Sequence, residues 1–234
     1  MPNWNNNIVE VRGPKKIVKE LVDHKFDFMK IYPYPKELDI TAGREGPDDS
    51  KEQQALVAKE KSNLKKYGYA NWYDWCVANW STKWNAGGEG NQDMIVEYDE
   101  DVDDQGIALF MFDTAWAPPI GIFEHLKKTH PELWIEAKYH EPGVGFFGIW
   151  DDGDDRCYQF EDFKGSTDPF WNTEDGRLLD EQFGILDMML QYEEEQMDEG
   201  ALKVRDYVKG QPQYAPVAVE IGRASCRERV YACV

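Results

Sequence analysis

Apolar positions along this chain switch between two periods, and the switches predict its elements. Asn7–Arg12 (NIVEVR) alternates, with Val9 and Val11 on one side, and predicts a short strand. Gly13 and Pro14 break it and open a helix, in which Ile17, Val18, Leu21 and Val22 form the buried stripe. Phe26–Tyr32 (FDFMKIY) alternates again and predicts a second strand, ended by Pro33 and Pro35. Ile40–Ser50 is a linker of Gly, Pro and Asp. Ser50 and Gln53 then make a capping-box pattern before a highly charged helix that runs to about Lys66.

The second half is richer in strands. Met94–Tyr98 and Gly106–Phe112 (GIALFMF) are strands, the latter apolar on both sides and therefore central. Pro119–Thr129 is a helix with Ile120, Phe123 and Leu126 inward, stopped by Pro131. Leu133–His140, Gly145–Trp150 and Arg156–Glu161 are strands, the last two joined by an Asp152-Gly153 hairpin turn. Thr173–Met197 reads as one helix with Leu179, Phe183, Leu186 and Leu190 on a face, and Gly210–Pro216 as a loop. The expected organisation is a sheet-bearing domain over residues 1–163, a helical insertion at about 51–80, and a helical extension over 164–219.

Between the linker helix and the strands lies Tyr67–Ala86, YGYANWYDWCVANWSTKWNA, with four of the nine tryptophans. Trp72, Trp75, Cys76, Asn79 and Trp80 fall at helical spacing, with Asn71 placed to cap and Asp74 in the first turn. The commoner reading of such a stripe is a core helix. The sharper one is an aromatic surface for a partner, to which Tyr73, Asp74, Asn79, Lys83, Trp84 and Asn85 would contribute.

The last fifteen residues need separate treatment. Glu220–Val230 (EIGRASCRERV) back-translates into a stretch resembling a sequencing-library adapter read in frame. Glu220–Val234 is therefore excluded from the fold, as a fusion scar would be.

The four segments MPNW, YGYANWYDWCVANWSTKWNA, FDTAWAPP and EPGVGFFG occur in this order over most of residues 1–160. Together they resemble the YubB-type ferredoxin-like family of phage and plasmid proteins. Ser81 stands where that family's pattern has glycine, and Ala117 follows Trp116 in the third motif. The resemblance implies an α+β fold. It consists of a βαββαβ antiparallel sheet with helices on one face, and here a helical insertion and a C-terminal helical extension. It implies a mobile-element accessory protein in a bacterial host, and it transfers no catalytic residue.

Composition narrows the function. The formal net charge is −19, which repels nucleic-acid backbones and anionic membranes and favours basic partners. No apolar run reaches the length of a membrane span, and MPNWNNN lacks the features of a leader, so a cytoplasmic protein is expected. Of the four cysteines Cys226 and Cys233 lie in the excluded tail, and Cys76 and Cys157, without a CxxC neighbour, are expected to be free, buried thiols. Asp99, Asp101 and Asp103 imitate the start of a calcium loop, but Asp104 and Phe110 occupy the positions that need glycine and glutamate. Asp151, Asp152, Asp154 and Asp155 around Gly153 would make at most a weak divalent site. His125 and His130 have the wrong spacing for zinc. We expect no metal and no cofactor.

The expected function is a non-enzymatic module that binds a host protein through aromatic and acidic surface, one form being a DNA mimic that modulates host defence. Its candidate contact residues are Trp72, Tyr73, Asp74, Asn79, Lys83, Trp84, Asn85, Asp113, Trp116, His140 and Glu141. A hydrolase-type enzyme is the alternative, and it requires Asp74, Asp113, His140 and Glu141 to meet in one pocket. A nucleic-acid-binding sheet is the third reading, weakened by the lack of a basic stripe.

Overall fold

The computed structural model describes residues 3–86, 94–100 and 104–196. The chain divides into two compact units, Met1–Ile185 and Leu186–Val234. The first is built on six antiparallel strands in the order β2-β3-β1-β4-β5-β6. These are β1 (Trp4–Pro14), β2 (Ile95–Glu100), β3 (Gln105–Ala115), β4 (Trp134–Glu141), β5 (Phe146–Asp151) and β6 (Asp154–Gln159). Helix α1 (Lys15–Asp23) connects onward from β1, and α5 (Ile120–Thr129) connects β3 to β4. Strands β2-β3-β1-β4 with these two helices form the split β-α-β arrangement expected of a ferredoxin-like fold.

Alternation along β1 sets the two faces. Asn5, Asn7, Val9 and Val11 point inward beneath the helices, and their neighbours point away. Phe110 and Phe112 of β3, with Ile135 and Ala137 of β4, join them in the core. Strand β3 is internal, as its apolar faces require. Its second face (Ile107, Leu109, Met111) is half-buried.

Phe26–Tyr32 is not a strand. Lys25 and Phe26 take φ near +49°, which turns the chain sharply after α1. The Asp27 carboxylate accepts the Met29 N–H at 2.9 Å and caps the single turn α2 (Phe28–Ile31). Both phenylalanines land on the sheet: Phe26 lies 4.8 Å from Phe110 and 5.6 Å from Phe112 between ring centroids. The alternating F-D-F pattern thus reports two rings delivered by a tight turn. The expected strand role passes to Ile95–Glu100.

Helices α3 (Lys51–Tyr67) and α4 (Trp72–Trp80) lie between α2 and β2. Ser50 caps α3 by accepting the Gln53 N–H at 3.1 Å, and Gly68 ends it in the left-handed conformation. Asn71 caps α4, accepting from Tyr73 N–H at 3.0 Å and Asp74 N–H at 3.2 Å. Trp75, Cys76 and Trp80 are buried, whereas Trp72 and Asn79 are half-buried at the margin of the same stripe. Ser81 ends α4 at φ +66°, where glycine would be unstrained. Its hydroxyl accepts the Gly121 N–H at 3.2 Å, which ties α4 to the start of α5. Gly121 itself must lack a side chain, because a Cβ there would strike the Asn79 carbonyl.

The opposite face of the sheet is covered at the β5–β6 end. Phe147 is ringed by Tyr158, Phe160, Phe163, Phe170 and Trp171 at centroid separations of 5.1–6.0 Å. Helix α6 (Glu174–Phe183) is held there by Asp175, which accepts Arg156 Nε–H at 2.8 Å and Tyr158 O–H at 2.6 Å. The helix expected over Thr173–Met197 is two helices. Gly184, at φ +63°, ends α6, and α7 (Ile185–Gln196) restarts. Asp101, Asp103, Met197, the Gly210–Pro216 loop and the adapter-like tail lie outside the described residues.

The two described cysteines are free, but only Cys76 is buried; Cys157 is exposed on β6. Burial pushes the Cys76 thiol up to about 12. With Cys226 and Cys233 replaced by serine, one thiol is expected to react with a maleimide at pH 7. The second should react only on unfolding. Two fast-reacting thiols would contradict the burial of Cys76.

Candidate functional site

One end of the sheet presents an open cluster of aromatic rings around a lysine. Three separate segments build it. Tyr73 comes from the first turn of α4, Lys83 and Trp84 from the loop that leaves it, and Trp116 from the loop after β3. The Lys83 Nζ lies 4.4 Å from the Trp84 ring centroid, 5.0 Å from Trp116 and 5.6 Å from Tyr73. Tyr73 meets Trp116 edge-on at 6.4 Å. Trp4, the first residue of β1, extends the cluster at 6.2 Å from Trp84. Trp4, Trp84 and Trp116 remain 45%, 38% and 42% exposed. Single exposed tryptophans are ordinary; three linked through one ring contact and a shared lysine are not.

The backbone under these rings is fixed by hydrogen bonds. Thr82 Oγ1–H donates to the Ala115 carbonyl at 2.8 Å, which locks the Lys83–Trp84 loop to the end of β3. Thr114 Oγ1–H donates to the Ala117 carbonyl at 2.7 Å, and Trp116 N–H to the Asn3 carbonyl at 3.0 Å. Asn7 supports this end by donating to Thr114 Oγ1 at 2.9 Å and to the Phe112 carbonyl at 3.1 Å. Trp116 is held at φ +73°, a left-handed conformation that costs a bulky residue about 1–2 kcal/mol. Such strain persists only where the surroundings over-determine it, and here it aims a large ring outward.

Four of the expected contact residues therefore converge: Tyr73, Lys83, Trp84 and Trp116. Trp72 touches this group only through Tyr73, 6.1 Å away, and otherwise packs on the core. Asp74 is exposed in the first turn of α4. Asn79 accepts from Tyr32 O–H at 3.1 Å and donates to the Trp75 carbonyl at 2.8 Å. Asn85 accepts the Phe28 N–H at 2.9 Å and donates to Asp27 at 2.7 Å, so it positions α2. Trp4 escaped the sequence reading because the strand was expected to begin at Asn7. The three added residues of β1, Trp4–Asn6, run beside Ala115 and bring it to the site.

The acid–base set is not assembled. Asn6 pairs with Asp113 on β3 and with His140 on β4, and its amide donates to Asp113 at 2.7 Å. Asp113 and His140 thus share a face but stand two strand spacings apart, about 10 Å. Glu141 alternates to the other face, and its carboxylate accepts Gly143 N–H at 2.9 Å and Val144 N–H at 2.5 Å. Asp74 sits on α4 over the helix-covered face, on the side of Glu141 and apart from His140.

The hairpin aspartates are likewise engaged one by one. Asp152 pairs with Lys127 at 2.7 Å, Asp154 with Arg156 at 3.0 Å, and Asp155 accepts Tyr139 O–H at 2.7 Å. Among the described residues no group of His, Cys, Asp and Glu is placed to hold a metal ion. His125 stacks on Tyr32 at 3.8 Å. Among those residues, too, no helix is long and apolar enough to cross a membrane.

Comparison with known proteins fits this architecture. Residues 96–167 match the model of the ferredoxin-like domain in Api92-like protein. The match runs from β2 to the turns after β6. It includes Trp116 but ends short of Tyr73, Lys83 and Trp84 on its N-terminal side. Among solved structures, protein api92 from Yersinia pseudotuberculosis is similar at 10% identity and a TM-score of 0.36, covering 68% of this chain and 98% of that one. No curated protein matches. The matched residues supply β2 to β6 and Trp116, whereas β1 with Trp4 and the helical segment before β2 with Tyr73, Lys83 and Trp84 lie outside the match.

Proposed function

We propose that this chain is a non-enzymatic protein-interaction module, an accessory protein of the YubB-type phage and plasmid family that docks on a host protein in the bacterial cytoplasm. The observation that supports it is the set of Tyr73 and two exposed tryptophans, Trp84 and Trp116, around Lys83, with the exposed Trp4 beside Trp84. Tryptophan and tyrosine dominate the few residues that determine most protein–protein affinity, because they bury much area with little entropy lost. A net charge of −19 would steer a basic partner toward this surface, and a DNA-mimic role in host defence is one form of that steering.

The test is affinity capture from a bacterial lysate, with and without nuclease, using the wild type and a Trp84→Ala/Trp116→Gly variant. A stoichiometric protein that survives nuclease is expected, and the variant should weaken its binding at least about tenfold while remaining folded. Trp116→Gly removes a ring from a left-handed position, so the fold should tolerate it. Unchanged capture by the variant would overturn the assignment of the surface. Loss of every partner on nuclease treatment would favour nucleic acid, for which ring stacking beside a lysine is the usual means.

A further inference from the structure

We infer that the aromatic cluster is a cage for a cationic side chain of a basic protein partner, and that Lys83 is its internal occupant, displaced when the partner binds. This rests on the interaction reading of the same surface and adds the chemistry of what docks there. The Lys83 ammonium has rings on three sides, at 4.4, 5.0 and 5.6 Å, all within the range over which an aromatic quadrupole attracts a cation. Among the described residues Lys83 makes no ion pair, in a chain with 45 acidic residues to choose from. Among the described residues its electrostatic contacts are the three rings.

That geometry is the one by which aromatic cages recognise alkylated ammonium groups. Here the backbone under the rings is fixed through the Thr82, Thr114 and Trp116 hydrogen bonds, whereas the occupant is a long, half-buried lysine side chain with many rotatable bonds. A fixed cage with a rotatable occupant suits exchange. The outer faces of Trp84 and Trp116 stay open, with Trp4 beside them, so a second cation can approach without unfolding the site. The chain's net charge of −19 favours a partner rich in lysine or arginine.

Vacating the cage should therefore create a binding site. Tetramethylammonium chloride, titrated against tryptophan fluorescence with sodium chloride as the ionic-strength control, is the probe. Lys83→Met should bind it at least about tenfold more tightly than the wild type, with Lys83→Gln as a second emptied cage. Adding Trp116→Gly to Lys83→Met should abolish the gain. Equal affinity in the wild type and both emptied variants would overturn the cage, and so would a gain that survives loss of Trp116.

A single-stranded thymidine oligonucleotide separates the opposite chemistry. If the wild type binds it and Lys83→Met does not, Lys83 is an anion contact and the proposal falls. Should the emptied cages bind no cation while Trp84→Ala/Trp116→Gly still loses a captured protein, the cationic occupant alone is refuted. Capture untouched by that variant, with cation binding intact, refutes the protein partner instead.

Discussion

Truncating Trp80 to alanine is expected to destabilise the protein by about 3–5 kcal/mol, the largest single effect foreseen for the tryptophan-rich stretch. Trp80 is 1% exposed. Its ring packs edge-on against Phe28 at 5.5 Å and Trp75 at 5.8 Å, with Tyr34 at 6.0 Å. Its Nε1–H donates to the Tyr32 carbonyl at 2.8 Å. Alanine would leave a cavity between α4, α2 and the segment after α2, and would strip the Tyr32 carbonyl of this donor. Trp80→Phe keeps much of the packing and loses the hydrogen bond, so a smaller loss, on the order of 1–2 kcal/mol, is expected. Urea unfolding followed by circular dichroism checks both, and an unchanged slope would confirm that the midpoint shift is a change in stability. A Trp80→Ala protein within 1 kcal/mol of the wild type would mean that α4 does not anchor the inserted segment.

Only three residues separate Trp80 from Trp84, yet one is core and the other surface. The period of the stretch distinguishes them. Trp75, Cys76 and Trp80 follow the helical spacing that made the core reading the commoner one, and Trp84 falls past the Ser81 cap, where that spacing no longer applies. The surface reading of Lys83, Trp84 and Tyr73 was legible only as a composition. Their convergence on Trp116 depends on a loop more than thirty residues later, and on a left-handed φ that no local pattern announces for tryptophan. Trp4 was hidden for a related reason: a strand that begins WNNN lacks the apolar alternation that marks strands, and Asn5 and Asn7 are buried as hydrogen-bonding groups at the sheet's end. Phe26 and Phe28 misled in the opposite direction, since alternation over four residues does not separate a strand from a turn with two inward rings. Strands β3 to β6 and the helices after β1 and β3 were readable from periodicity, whereas the second strand of the first β-α-β unit was placed at Phe26–Tyr32 and lies instead at Ile95–Glu100.

Acid should destabilise this fold well above the pH at which its carboxylates titrate, and His140 is the expected cause. The ring is 3% exposed, on the sheet face covered by the C-terminal turns, with Phe183 at 5.4 Å and Phe160 at 5.9 Å. Its Nε2 has no hydrogen-bond partner among the described residues. Burial pushes His140 down to about 4, against a smaller opposing pull from Glu141. The folded protein therefore holds a neutral ring where the unfolded chain would already take up a proton near pH 6.5. Stability from this group is complete above pH 6.5 and is lost as pH falls toward 4, by about 3 kcal/mol in all and about 2 kcal/mol by pH 5. His125, also lowered by burial, acts in the same direction. Protonation would set a charge against Phe160 and Phe183, so α6 and the turns before it should loosen first. Urea midpoints at pH 7.5 and pH 5 for the wild type and His140→Phe decide the matter, with amide exchange over residues 160–183 as the local readout. The substitution should remove most of the pH slope. An equal slope in both proteins would place the acid sensitivity elsewhere and leave His140 as an inert part of the second core.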